Sequence, residues 1–374
     1  MAERERGVRL APYTTLRVGG EARAFVTARD AGELAALVGE ADRAGEPVLV
    51  LGGGSNLLIS DEGFDGLVVK VASRGVSVAE VDGRVEVTAE AGEDWDALVQ
   101  RAVAEGWSGV ECLSGIPGLV GSTPIQNVGA YGQEVAQTVT GVRVYDRRAR
   151  EIRDLGPADC GFAYRDSVFK RDPARYVVLA VTYSLERADL SGPVAYQELA
   201  TRLGVELGAR AGLHDVRDAV IGLRRGKGMV LDPADPDTCS AGSFFTNPVL
   251  SAAEAAELER RSPGFPRWAM PGDHVKVPAG WLIEHAGFPK GYRRGPARIS
   301  TKHTLALTNP GGLHVTGFPT DPEALVSGAP PVPDAEPAAT AADLLELARE
   351  IRQGVEAKFG VTLVNEPVLA GVTL

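Results

Sequence analysis

Residues 114–132, SGIPGLVGSTPIQNVGAYG, constrain what this chain can become more than any other stretch. Glycine permits backbone conformations and close approaches that a Cβ forbids, and five of these residues are glycine. Between them stand Ile116, Leu119, Val120, Ile125 and Val128, which a glycine-rich surface loop rarely carries. Ser122, Thr123, Gln126 and Asn127 add side-chain hydrogen-bonding groups beside exposed N–H groups. The combination suits a peptide wrapped round a large polar ligand, above all a phosphate-bearing cofactor.

A chain of 374 residues is expected to hold two or three domains. Hydrophobic residues make up 44% and charged residues 24%, enough for a substantial core. The net charge of −11 argues against general binding to nucleic acid or to anionic membranes. An anionic ligand must therefore be held by local cations and N–H groups against the global field. Cys112, Cys160 and Cys239 are odd in number and widely spaced, giving neither a disulfide framework nor a C-x-x-C site. His214, His274, His285, His303 and His314 lack metal-ligand spacing, so no metal is expected. The charged start MAERERGVRL has no apolar core of signal-peptide length, and no apolar run is long enough to span a membrane. A cytoplasmic protein is expected.

Periodicity predicts strands at 23–27, 47–51, 67–71, 85–89, 141–145, 176–185, 303–308 and 361–364. It predicts helices at 30–45, 94–105, 215–223, 252–260 and 280–286. Thr340 and Asp343 form a capping box opening a helix with Leu344, Ala348, Ile351, Val355 and Phe359 on one face, stopped by Gly360. Residues 311–339, rich in Pro, Gly and Ala, read as a disordered or loosely packed insertion.

Several motifs carry chemistry only in combination. Gly52, Gly53 and Gly54 follow a buried strand, with Ser55 and Asn56 beside them. G-x-G-x-x-G is absent and a strand-like run follows, so this is no dinucleotide fingerprint; an N–H nest or a tight turn remains. Arg224, Arg225 and Lys227 fail the phosphate-loop spacing and form either a solvated helix end or a phosphate contact. Arg165 beside Asp166 reads by itself as an ion pair. Ser243 lies beside a glycine and two phenylalanines without a nucleophile elbow, and Glu366 stands at a strand end.

In order along the chain, PYTTLRVGG, LGGGSNLL, EAGEDWDALV, GIPGLVGSTPIQNVGAYG, GFAYRDSVFK, AGSFFTNPV, PAGWLIEHAG and the closing segment with Glu366 resemble the bacterial UDP-N-acetylenolpyruvoylglucosamine reductase family. The resemblance covers nearly the whole chain. It implies an α+β fold: an FAD-binding domain of the p-cresol methylhydroxylase/vanillyl-alcohol oxidase type over 1–190, with subdomains about 1–72 and 73–190. A C-terminal α+β substrate-binding domain over 191–374 would follow, with an insertion at about 311–339. It implies non-covalent FAD, NADPH as co-substrate, and reduction of the enolpyruvyl group of UDP-N-acetylglucosamine enolpyruvate in peptidoglycan precursor synthesis. Arg165 matches the arginine that polarises the substrate carboxylate, Glu366 its acidic partner, and Ser243 the acid that protonates C2. Cofactor contacts are expected from Gly52, Gly53, Gly54, Ser55, Asn56, Ile116, Pro117, Gly118, Gly121, Ser122, Thr123, Ile125, Asn127 and Gly129. Substrate contacts are expected from Tyr196, the substrate-loop tyrosine of the longer family subtype, and from Lys227, Asn247 and His303. The protein is expected as a monomer or weak dimer, with a small-molecule substrate and no nucleic-acid partner.

Two other readings compete. One is a flavin-dependent alcohol or phenol oxidase on the same scaffold, which often tethers flavin through His or Cys; no histidine precedes His214, although Cys112 and Cys160 remain. The other is a ligand-binding protein that kept the fold without catalysis, which the joint presence of Arg165, Ser243 and Glu366 opposes.

Overall fold

The computed structural model describes residues 4–315 and 336–374. The chain forms two compact units. The first comprises residues 1–8, 22–53 and 65–226, and the second residues 9–21, 54–64 and 227–374. The expected division at 190/191 thus falls inside the first unit. Gly52 and Gly53 belong to the first unit, whereas Gly54, Ser55 and Asn56 belong to the second.

In the first unit, one sheet runs Val8–Arg9, Glu21–Ala28, Phe64–Val71, Val48–Leu51, with the last two strands parallel. The helix Ala31–Ala44 covers it. Asp30 accepts the Glu33 N–H at 2.7 Å, and Gly45 (φ +67°) closes the helix in the left-handed conformation that favours glycine. Its buried Leu34, Leu37, Val38 and Ala41 pack with Val26, Leu67 and Val69.

A second, antiparallel sheet runs Glu151–Leu155, Val139–Asp146, Tyr176–Arg187, Arg84–Glu90, Val76–Val81. The helix Trp95–Ala104 packs Trp95, Leu98, Val99 and Ala102 with Val85, Val87, Val181 and Tyr183. The outermost strands Val76–Val81 and Glu151–Leu155 went unpredicted because they are almost wholly exposed. An edge strand has no face to bury, so the period-2 pattern that announces strands is not required of it. Helices Gln197–Leu203 and Leu213–Gly226 enclose a small core with Cys112, Val194, Leu199, Val216 and Val220.

In the second unit, Ser240–Ser243, Ala306–Thr308, Ala297–Ile299 and Arg293–Arg294 form a sheet in that order. The predicted capping box is present: Thr340 Oγ1 accepts the Asp343 N–H at 3.1 Å, and Asp343 accepts the Thr340 N–H at 2.8 Å. The helix Ala341–Phe359 buries the expected stripe of Leu344, Ala348, Ile351, Val355 and Phe359.

Three expectations are corrected here. The strand expected over 303–308 is confined to Ala306–Thr308, because residues 300–304 turn back on themselves through the Ser300 hydroxyl. Residues 361–364 form no strand; the closing strand is Val368–Ala370, parallel to Leu57–Ile59. Both described ends of the segment expected as a loose insertion are held in place. Pro310–Val315 is a 3-10 helix, Ala339 is buried, and the Ala339 N–H donates to Asn309 Oδ1 at 2.7 Å. Residues 316–335 lie outside the described residues.

Candidate active site

The strand Val48–Leu51 delivers Gly52 and Gly53 onto the second glycine-rich segment. A Cβ on Gly53 would stand 2.8 Å from Gly118 Cα, and one on Gly52 2.9 Å from Ser122 Oγ. A Cβ on Gly121 would stand 2.5 Å from Ala91 Cβ. Gly118 itself has φ +127°, which L side chains rarely adopt. The two glycine loops therefore meet backbone to backbone, leaving main-chain surface where side chains would otherwise stand. That is the cradle an extended phosphate-bearing cofactor requires, and FAD fits it in chemistry. Ile116, Pro117 and Gly118 are half-buried on its rim.

Two expected contacts use their side chains on the protein. Thr123 is buried, with its hydroxyl on Val120 O (2.8 Å) and Tyr183 Oη (2.7 Å). Asn127 donates to Glu134 (2.7 Å) and Ala163 O (3.0 Å) and accepts the Ala136 N–H (3.1 Å), at φ +45°. Both brace the loop. Ile125 offers its carbonyl to the Ser167 hydroxyl.

Arg165 sits at the tip of a tight turn closed by reciprocal Ala163–Asp166 bonds of 3.0 and 3.2 Å, at φ +53°. Its guanidinium donates to Gly129 O at 2.6 Å and reaches Asn127 O at 3.5 Å. Asp166 pairs with Arg171. Arg224 is not a solvated helix end: it is 9% exposed, and burial pushes its pKa down to about 10. Tyr131 and Asp96 oppose that shift, and the charge of Arg165 adds to it. Tyr131 rests edge-on against Tyr196, with ring centroids 5.5 Å apart. Tyr196 is 44% exposed and begins the helix Gln197–Leu203. The first unit thus holds two guanidinium groups and two phenols within one neighbourhood, a setting for an anionic, partly aromatic ligand.

In the second unit, Ser243 ends the strand Ser240–Ser243, opposite Ala306. Phe245 bridges to Asn365, and the Glu366 N–H donates to Phe244 O at 2.9 Å. Two segments distant in sequence thereby become backbone neighbours, and both Ser243 and Glu366 are half-buried. Asn56 donates to Glu366 O at 3.3 Å and its carbonyl accepts the Val368 N–H at 3.0 Å. Gly54 (φ +61°) admits no Cβ, which would lie 2.0 Å from Tyr13 O. Ser55 is half-buried between them. Asn247 accepts the Ala279 N–H at 2.9 Å, starting the helix Ala279–His285. Lys227 precedes the left-handed Gly228, and His303 donates its N–H to Ser300 Oγ at 3.1 Å. Asp237, buried, accepts from Arg298 (3.0 Å) and the Thr301 N–H (3.1 Å), fixing the loop that bears His303.

Sequence reasoning missed Tyr131, Glu111, Asp237 and the burial of Arg224. For Tyr131 a signal existed: Gly129–Ala130 and Gln133–Glu134 form a hairpin whose two turn residues, Tyr131 (φ +49°) and Gly132 (φ +89°), are both left-handed. Such a turn is ordinarily written Asn-Gly or Asp-Gly. Among the described residues, no group of three or more His, Cys, Asp or Glu could hold a metal ion, and no helix is long and apolar enough to cross a membrane.

Comparison with known proteins agrees with this geometry. A family model of an FAD binding domain matches residues 22–154, spanning the cradle. A model of the C-terminal domain of UDP-N-acetylenolpyruvoylglucosamine reductase matches residues 233–317. The chain is 56% identical to the UDP-N-acetylenolpyruvoylglucosamine reductase of Thermobifida fusca, covering 99% of this chain and 98% of that protein. With the enzyme of the same name from Streptomyces coelicolor the figures are 52%, 98% and 90%. The crystal structure of the Thermus caldophilus reductase aligns over 99% of this chain and all of its own, with TM-score 0.63 and 26% identity.

Proposed function

The chain belongs to the UDP-N-acetylenolpyruvoylglucosamine reductase family, and from that footing we propose that it uses NADPH to reduce the enolpyruvyl group of UDP-N-acetylglucosamine enolpyruvate to the lactyl ether of UDP-N-acetylmuramate. It is an oxidoreductase and flavoprotein of peptidoglycan precursor synthesis, with FAD as cofactor. The site of action we propose is the cytoplasm.

Gly52, Gly53, Gly118 and Gly121 would hold FAD through main-chain contact. When bound, FAD supplies two-electron transfer between NADPH and the enol ether. The chain's own residues handle charge and protons. Negative charge develops at C2 of the enolpyruvyl group and spreads into its carboxylate. The Arg165 guanidinium, held on Gly129 O, would stabilise it as a preorganised donor, a role typically worth ~10²–10³ in rate. Glu366 would be the acidic group of the same chemistry. Ser243 would deliver the proton to C2; a neutral hydroxyl suffices because the carbanion is far more basic than an alkoxide, and such help is worth ~10²–10⁴. Tyr196, Lys227, Asn247 and His303 would bind the UDP-sugar.

The observation that supports these roles best is the backbone pairing of 244–245 with 365–366, which brings together the two segments that carry Ser243 and Glu366. The test is anaerobic mixing with NADPH and then with UDP-N-acetylglucosamine enolpyruvate. Bleaching of the flavin, followed by its reoxidation and formation of UDP-N-acetylmuramate, is expected. In Ser243→Ala bleaching should persist while reoxidation becomes very slow. Normal reoxidation in that variant would remove Ser243 from its role.

The oxidase reading draws less support. Burial, then the Glu111 charge, pushes the Cys112 thiol up to about 12, and burial with Asp159 pushes Cys160 up to about 11. Thiolates, which form flavin tethers, are disfavoured at both. Acid precipitation should release all yellow colour to the supernatant; retained colour would revive the oxidase.

A further inference from the structure

Glu111 is fully buried, at 0% exposure, and the chemistry above makes no use of it. Its carboxylate accepts from the Gly109 N–H at 2.7 Å, Gln133 Nε2 at 2.9 Å, the Gly192 N–H at 3.1 Å and Ser108 Oγ at 3.5 Å. A carboxylate offers acceptors alone, and every one of these groups donates. The side chain thus ties together three segments distant in sequence.

Each segment leads to the proposed substrate face. Gly109 lies five residues before the glycine-rich stretch. Gln133, whose own Oε1 accepts the Cys112 N–H at 2.8 Å, belongs to the hairpin that carries Tyr131 and the Gly129 carbonyl on which Arg165 rests. Gly192 lies four residues before Tyr196. Between them Val194 is buried and exchanges backbone bonds of 2.8 Å with Gly208 and Ala209. The hairpin and the Tyr196 segment then meet: a Cβ on Gly132 would stand 2.9 Å from Ala195 Cβ, and the rings of Tyr131 and Tyr196 touch edge to face. Tyr131 is held left-handed, a conformation that persists in a bulky residue only where the surroundings over-determine it.

We propose that Glu111 is a positioning residue for substrate binding: by bonding Gln133 and the Gly192 N–H together it sets Tyr196 against the Tyr131 hairpin. This rests on the proposed function, in which Tyr196 contacts the UDP-sugar. Loss of the carboxylate frees the 190–197 segment without disturbing the glycine cradle.

The test compares FAD-loaded wild type, Glu111→Gln, Glu111→Asp and Gly192→Pro, the last deleting the single N–H donor while keeping Glu111. Hydrogen exchange should accelerate over 190–197 in Glu111→Gln, because a side-chain amide turns a donor toward donors. KM for UDP-N-acetylglucosamine enolpyruvate should rise about tenfold, as expected for a lost bond to a charged acceptor. Flavin content, the rate of bleaching by NADPH and kcat should stay within about twofold to threefold, since cradle and acid are untouched. Glu111→Asp should recover part of the KM, and Gly192→Pro should reproduce the KM rise. Unchanged exchange, or faster exchange with an unmoved KM, would overturn the proposal. If Glu111→Gln does not fold, Gly192→Pro decides alone, and an unmoved KM there sinks it. A wild type that bleaches but never turns over this substrate refutes the proposed function instead, and the exchange data still judge whether Glu111 holds the segment.

Discussion

The glycine cradle and the arginine–tyrosine face, both within the first unit, are built by opposite means. The cradle is defined by atoms that are missing: Gly53 meets Gly118, Gly52 meets Ser122, Gly121 meets Ala91, and a single methyl group would part each pair. The face is defined by tethers. Arg165 hangs on a carbonyl 36 residues away, Glu111 on an N–H 81 residues away, and Asp96 grips Arg217 across 121 residues. A surface made of backbone tolerates no added atom but depends little on side-chain chemistry. A surface made of tethers tolerates changes of size but fails when a charge or donor is lost.

The sharpest way to break this contrast is Arg165→Lys. Lysine keeps the charge but is a point donor where the guanidinium forks to Gly129 O and beyond. Turnover should fall by ~10²–10³ while flavin content stays at wild-type level. Loss of flavin together with activity would mean that cradle and face are not separable. Next in size comes Gly53→Ala, with its Cβ 2.8 Å from the Gly118 backbone. Overpacking of this kind costs ~1–3 kcal/mol, so flavin affinity should weaken about ten- to a hundredfold. Flavin titration of the stripped protein measures it. Turnover per bound flavin should be near wild type, the mirror image of Arg165→Lys.

The same contrast explains what was legible in the sequence. Glycines at 52–54 and 114–132 announce a backbone cradle because nothing else requires that residue at that density. Helices with caps, such as Ala31–Ala44 and Ala341–Phe359, were legible because Asp30, Gly45, Thr340, Asp343 and Gly360 state their ends locally. Tethers carry no such signature. Glu111 is one carboxylate among 50 acidic residues until folding brings Gly192 to it. Arg224 reads as either a solvated helix end or a phosphate contact until the small core of 112, 194–220 closes beside it. Ser243 and Glu366 were found through resemblance, and the backbone pairing of 244–245 with 365–366 could not be read from spacing. The strand expected at 361–364 shows the cost of local reading: alternation of buried Val361 and Leu363 with exposed Thr362 and Val364 is genuine, but the ladder forms later, at Val368–Ala370.

Tyr131→Asn sharpens the comparison with a smaller effect. The substitution supplies a residue suited to the left-handed turn, relieving strain of ~1–3 kcal/mol, and removes an aromatic contact of ~0.5–1.5 kcal/mol. The two nearly offset, so urea unfolding should shift by no more than about 1 kcal/mol, in the stabilising direction. KM for the enolpyruvyl substrate should nevertheless rise several-fold. A clear loss of stability would make Tyr131 a packing residue of the hairpin and weaken its place on the face.

The smallest effect is a pH dependence of the tether that joins the two regions. Asp96 accepts the Gly115 N–H at 2.6 Å and a forked pair from buried Arg217 at 2.7 and 2.9 Å. Burial pushes its carboxyl up, but the Arg217 hydrogen bond, the Gly115 N–H and the charges of Arg217 and Arg224 outweigh this and hold it below the ordinary value of 3.8. A carboxyl that is a stronger acid when folded contributes fully above 3.8, and its contribution drains as pH falls through the lower folded value. Unfolding midpoints measured from about pH 6 down to about pH 3 should therefore drop more steeply in wild type than in Asp96→Asn, the curves converging at the acid end. The difference should be modest, because the Asp96 side chain keeps a third of its surface in solvent and the pair is screened accordingly. If the two curves run parallel, the Arg217 tether is not what keeps Gly115, and with it the mouth of the glycine-rich stretch, in place.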